Sequence, residues 1–230
     1  MRHVIACLFA LTLAGEAPHA LAAENLKSLQ QAAAKGDAKA QYRLGDRYDL
    51  GEGVPQDYAE AVKWYRQAAE QGHAGAQFAL AEMYKNGDGV AKDMPEALKW
   101  YRKAAAQGQA GAQLLLGVIH EGGNGVPVDM AEAARWYRLS AAQGDARAQL
   151  LLGNLYNSGQ GVARNAVAAW ALYTVSAENV AQGNPALNHR GQLARSMSQA
   201  ELDSAKMLAQ EMKRPGNLLP ALDRYLKQAA

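Results

Sequence analysis

Apolar positions return at steps of four along most of this chain. Ala40, Leu44 and Tyr48 are followed 36 residues on by Ala76, Leu80 and Tyr84, then by Ala112, Leu116 and His120, then by Ala148, Leu152 and Tyr156. Steps of four fall on one side of an α-helix, so each set predicts an amphipathic helix. A second pattern lies between them: Ala61, Trp64-Tyr65 and Ala68-Ala69 return as Ala97, Trp100-Tyr101 and Ala104-Ala105, and the aromatic pair again as Trp136-Tyr137. Every 36 residues thus predict two helices. A unit this short cannot bury its own apolar side, so the units must stack. The expected fold is all-α: a right-handed α/α superhelical solenoid of about four helix-turn-helix repeats, with helical caps.

The punctuation between the helices agrees. Gly51-Glu52-Gly53, Gly87-Asp88-Gly89, Gly123-Asn124-Gly125 and Gly159-Gln160-Gly161 close each first helix, with Val54, Val90, Val126 and Val162 anchoring the loops. A phosphate-binding role for these G-x-G turns lacks the further glycine and the lysine of a nucleotide loop, and the turns follow helices rather than strands. Asp57, Asp93 and Asp129 predict the N-caps of the second helices, each with Glu60, Glu96 or Glu132 three residues on to complete a capping box. Asn165 keeps the cap in the fourth unit, but Ala168 breaks the box. Gly45, Gly117 and Gly153, with Ala81 in the second unit, predict close approach of the paired helix. The units span about 37–72, 73–108, 109–144 and 145–178 within a solenoid of residues 23–178. Leu29, Ala32-Ala33 and Gly36 match the end of a second helix, so a lone helix over about 24–35 is expected to cap the N-terminal end. Residues 179–230 are expected to form a C-terminal helical cap or tail, with helices near 186–195, from 200 to 212 and from Pro220.

The first residues read differently. Arg2 and His3 precede an apolar run from Val4 to Ala14, too short to span a bilayer, and Ala20-Leu21-Ala22 supplies small residues where a signal peptidase reads. Residues 1–22 are expected to be a removed export signal, placing the protein in the periplasm or outside the cell. Cys7, the one cysteine of the 230 residues, lies in that leader without a lipobox, so the mature domain would depend on packing alone. No later apolar run is long enough for a membrane span. A net charge of +2 without a basic block or a basic stripe interleaved with aromatics gives nucleic acid no footing.

The string running from Gln41 through Leu44-Gly45, Tyr48, Gly51, Gly53-Val54, Asp57, Ala61, Trp64-Tyr65 and Ala68-Ala69 to Gln71-Gly72 resembles the Sel-1-like repeat family, relatives of the tetratricopeptide solenoids. The resemblance covers residues 30 to 178 and implies a scaffold that binds a protein or peptide rather than an enzyme. It implies no cofactor. Bacterial exported members commonly serve in envelope signalling, secretion, polysaccharide machinery or host contact. Two alternatives stand beside the adaptor: an immunity or inhibitor protein against a delivered toxin, and an envelope hydrolase acting on peptidoglycan or β-lactams. The hydrolase is disfavoured because the paired cysteines of the relatives associated with that chemistry are missing. His73, His120 and His189 have no metal-ligand spacing, and no nucleophile motif is present.

Since the repeated residues build the scaffold, recognition is expected at non-repeated positions. On a helical wheel the outward arc of each first helix includes Arg43 and Asp46, then Ala79 and Glu82, then Leu115 and Val118, then Leu151 and Asn154. This row changes from charged to apolar along the chain. Two readings stay open: an apolar groove for a partner with a polar rim at Arg43, Asp46 and Glu82, or leucines covered by neighbouring helices and the C-terminal segment.

Overall fold

The structure, a computed structural model, describes residues 17–179 and 185–229, with side chains from residue 26. Among these residues there are twelve helices and no strands. The chain divides into two compact units, residues 1–100 and 101–230.

The first unit holds α1 (Ala17–Ala34), α2 (Ala38–Leu50), α3 (Tyr58–Glu70), α4 (Ala74–Asn86) and the start of α5 (Met94–Ala106). α1 packs on α2, α2 on α3 and α3 on α4, so each helix lies against its neighbours in sequence. Leu44, Tyr65 and Leu80 and the alanines around them make the interior. The first helices are capped by residues the repeat pattern left unassigned: Asp37 Oδ1 accepts from Ala40 N at 2.8 Å, and His73 Nδ1 accepts from Ala76 N at 3.1 Å. α2 ends at Gly51, whose φ of 72° is left-handed, and the loop returns through Asp57 N, which donates to the Tyr48 carbonyl at 2.9 Å. The α1 helix begins at Ala17 rather than near residue 24, so helical backbone runs through Ala20-Leu21-Ala22, since nothing in this alanine-rich stretch stops a helix. The rest of the expected leader, residues 1–16, lies outside the described residues.

The second unit continues α5 and adds α6 (Ala110–Gly122), α7 (Met130–Ala142), α8 (Ala146–Ser158), α9 (Ala166–Glu178), α10 (Ala186–Ala194), α11 (Gln199–Met212) and α12 (Leu218–Gln228). α6 to α9 pack in succession, α10 and α11 both lie on α9, and α12 rests on α11 and touches α7. The buried cluster that holds Tyr137, Leu152, Leu172 and Tyr173 also holds Leu208, Met212 and Leu222, so the C-terminal helices share the core of the last repeats. Ion pairs fasten the same helices: Arg138 of α7 with Asp223 of α12, and Lys213 with Glu178 at 2.5 Å. α12 starts two residues before Pro220, which sits in the first turn where a missing N–H loses no helical bond.

Two details of the loops differ from or sharpen the expectation. Asp57, Asp93 and Asp129 do cap α3, α5 and α7, but Glu60, Glu96 and Glu132 turn to Lys63, Lys99 and Arg135 three residues on. The reciprocal capping box forms at Ser198 and Glu201 of α11. At two turns the second glycine is held for space as well as for conformation. At Gly89 (φ +66°) a Cβ would lie 2.2 Å from the Tyr58 carbonyl carbon, and at Gly161 (φ +69°) 2.2 Å from that of Met130. These glycines seat the loop on the backbone that begins the preceding second helix.

Candidate partner-binding surface

Two sets of repeated polar groups face inward. The second-helix tyrosine lies flat against the first-helix glycine: a Cβ at Gly45 would stand 2.5 Å from the Tyr65 ring, at Gly117 2.4 Å from Tyr137, and at Gly153 2.7 Å from Tyr173. Its hydroxyl then reaches back to the first helix. Tyr65 donates to Asp46 at 2.8 Å and Asp49 at 3.2 Å, Tyr137 to Glu121 at 2.5 Å, and Tyr173 to Asn154 at 2.9 Å. Burial, followed by the neighbouring carboxylates, pushes the Tyr65 and Tyr137 phenols far above their ordinary range, and burial pushes Tyr173 up to about 12. Burial likewise raises the Asp46 carboxyl, against the lowering effect of the hydroxyl it accepts from.

A second internal set is a row of buried glutamines. Gln41, Gln77, Gln113 and Gln149 donate from Nε2 to the carbonyls of Ala33, Ala69, Ala105 and Ala141 at 3.0 to 3.2 Å. Their own carbonyl oxygens accept from Gln71 (2.6 Å), Gln143 (2.8 Å) and Asn179 (3.0 Å) in the first, third and fourth units. Each glutamine gives a second donor to a carbonyl near the end of the previous second helix, which also accepts from the N–H of Gly36, Gly72, Gly108 or Gly144 at 3.0 Å. The signal was visible as a polar residue recurring inside an otherwise apolar arc.

Of the eight positions expected to face outward, only Arg43 is exposed; the other seven are half-buried. The physical reason is that a first helix is packed on both sides, as α8 is between α7 and α9, which leaves a narrow outward arc. In the first unit Asp46 is taken by Tyr65, Glu82 pairs with Lys85 at 2.6 Å, and Ala79 is half-covered. In the second unit Val118 and Leu151 are brought together against the same buried cluster, while Leu115 stays half-buried on α6. Asn154 accepts from Tyr173 and lies 3.1 Å from His189 Nδ1 of α10. α10 therefore adjoins the last of these positions, with His189 edge-on to Tyr173 and Arg190 over Trp170.

An open concavity lies at the start of the first unit. A cleft of about 480 Å³ between α1 and α2 is lined by Leu29, Ala32 and Ala40 and by Lys39, Arg43 and Arg47. Among the described residues no three His, Cys, Asp or Glu side chains gather as a metal site would require, and no helix is long and apolar enough to cross a membrane.

Comparison with known proteins follows the same periodicity. The Sel1 repeat profile matches residues 38–73, 74–109, 110–145 and 146–179. Among solved structures, a protective antigen present in uropathogenic Escherichia coli strains and displaying an SLR fold is 43% identical, with a TM-score of 0.71 over 75% of this chain. This chain spans only 37% of that protein's length. A Sel1 repeat protein from Oxalobacter formigenes is 34% identical, with a TM-score of 0.65 over 75% of this chain and 73% of its own. An immunity protein from Pseudomonas aeruginosa is 20% identical at a TM-score of 0.36, covering 73% of this chain and 82% of its own, a likeness too slight to bring a function across. No curated protein matches this chain significantly.

Proposed function

We propose that this chain, which belongs to the Sel1 repeat family, is an exported, non-enzymatic scaffold of the bacterial envelope that holds a protein or peptide partner. The observation that carries this reading is the inward commitment of the repeated polar residues. The glutamines, the tyrosine hydroxyls and the capping aspartates are spent on the scaffold, so the non-repeated surface is what remains for recognition. Export rests on Arg2, the apolar run to Ala14 and the small residues at Ala20-Leu21-Ala22. The likeness to an antigen supports it, since an antigen must be accessible to a host.

Two measurements test the proposal. Cell fractionation with mass analysis of the N-terminus should find the protein outside the cytoplasm, cleaved after Ala22; a cytoplasmic protein with Met1 intact would defeat the export reading. Affinity capture from envelope extract should retain a protein partner with the parent chain and lose it with Arg43→Glu or Leu115→Asp, each shown by circular dichroism to remain helical. Turnover of peptidoglycan or nitrocefin by the purified chain would return the hydrolase reading.

A further inference from the structure

On α2, Lys39, Arg43 and Arg47 stand on successive turns, about 6 Å apart along the axis, and all three line the cleft against α1. The acid in that lining, Asp37, is committed to capping Ala40 N, and Asp46 and Asp49 of the same helix accept from Tyr65. Among the described residues none of the three cations makes an ion pair; Arg47 donates to the Glu52 carbonyl at 3.1 Å.

The corresponding places in later repeats are Gly75, Ala79 and Met83, then Gly111, Leu115 and Ile119, then Arg147, Leu151 and Leu155. There the column is largely small or apolar, and its last member is interior: Met83, Ile119 and Leu155 are 5%, 4% and 1% exposed. In the first repeat the column is open and becomes cationic at all three positions. A solubilising end needs polarity but no single sign. The C-terminal helices show the mixed kind, with Lys206 paired to Asp203, Arg224 to Glu211, Lys213 to Glu178 and Asp223 to Arg138. Three like charges in a row repel one another, a cost that mixed charges avoid.

Resting on the scaffold reading above, we propose that the α1–α2 cleft docks an acidic amphipathic helix of a protein partner. Asp or Glu on successive turns of that helix pair with Lys39, Arg43 and Arg47, and its apolar edge lies on Leu29 and Ala32. The aliphatic floor favours this occupant over a polyanionic sugar, which buries little apolar surface, over nucleic acid, whose bases stack on aromatic rings that this lining lacks, and over a lipid headgroup layer, which does not enter a cleft.

The test is a titration of the full chain, as the cell processes it, with a synthetic helical peptide carrying glutamates on successive turns beside leucines, and with its glutamine twin. The glutamate peptide should bind, with affinity falling as salt rises. The glutamine twin and the Arg43→Glu variant should each weaken binding about tenfold or more, with Arg43→Gln in between; Arg43 is exposed, so both variants should keep the parent's circular dichroism. Equal binding of the two peptides, no binding, or an unchanged affinity in Arg43→Glu overturns the proposal. It is also overturned if phosphatidylglycerol vesicles or polygalacturonate bind in an Arg43-dependent way while the peptide does not, or if the peptide binds only once the residues before Leu26 are removed. A captured partner that survives Arg43→Glu but is lost with Leu115→Asp removes this cleft from recognition and leaves the scaffold reading standing, so the two failures are distinguishable.

Discussion

Replacing Gly117 by alanine tests the packing of a repeat where its first helix meets the tyrosine of its second. The new methyl would lie 2.4 Å from Tyr137 Cε1 and 2.5 Å from Cδ1, more than 1 Å inside the ordinary carbon–carbon separation of about 3.5–4 Å. Tyr137 is fully buried and its hydroxyl is held by Glu121, so the ring has no free direction in which to move. Overpacking of this kind costs about 1–3 kcal/mol, and displacing the ring strains a hydrogen bond worth about 1 kcal/mol. Against this, alanine recovers about 1 kcal/mol of helix propensity. The balance is a loss of about 2 kcal/mol, read as a lower midpoint in urea followed by circular dichroism. Gly191 provides the control, because it lies in α10 with nothing within 4 Å of its hypothetical Cβ. Gly191→Ala should therefore stabilise by about 0.5–1 kcal/mol through propensity alone. Pairing Gly117→Ala with Tyr137→Leu should recover part of the loss, a coupling that independent sites do not show. A Gly117→Ala protein as stable as the parent would refute the close-packing argument.

Other consequences are equally accessible. Gln149→Leu should cost about 0.5–1.5 kcal/mol through the side-chain hydrogen bonds to the Ala141 carbonyl and from Asn179, the carbonyl keeping its bond from Gly144 N, measured by the same urea titration; an unchanged midpoint would mean these bonds add nothing net to stability. His73→Ala should cost about 1 kcal/mol through loss of the α4 cap, and His73→Asp should restore it. Stability should fall as pH rises above the ordinary phenol range towards 12. The unfolded chain ionises its tyrosines first, near pH 10, whereas the folded chain holds Tyr173 protonated to about 12 and Tyr65 and Tyr137 beyond it. Thermal melts between pH 9 and 12 should show that decline, with Tyr173→Phe making it shallower; a flat profile would contradict the burial of these hydroxyls.

The helices were legible because two local signals agree: apolar positions at steps of four, and glycines that close each turn. Leu44, Leu80, Leu116 and Leu152 are all fully or almost fully buried, as the pattern requires. The inward fate of polar residues was harder to read, since what Gln41 or the Tyr65 hydroxyl binds depends on where the preceding helix presents its carbonyls and carboxylates. His73 shows the same limit: its turn position is plain in sequence, but its service as an N-cap acceptor needs the backbone geometry. The recognition row suffered most. A wheel drawn for one helix ignores the second packing neighbour, so Asp46 and Asn154 look outward until Tyr65 and Tyr173 are seen to reach them. Arg43 stays outward because its repeat is the first with a hairpin, preceded by the single helix α1.

Gly89 and Gly161 rest on the bare peptide units that begin α3 and α7. Their seats are main-chain atoms, which every amino acid carries alike. A side-chain substitution at Tyr58 or Met130 therefore leaves the carbonyl beneath the glycine in place. The spacing between successive units is gauged there without reference to the identity of the residue underneath. Whole units can then be duplicated, lost or exchanged between members of such a lineage with the joint preserved, while their exposed faces diverge towards different partners.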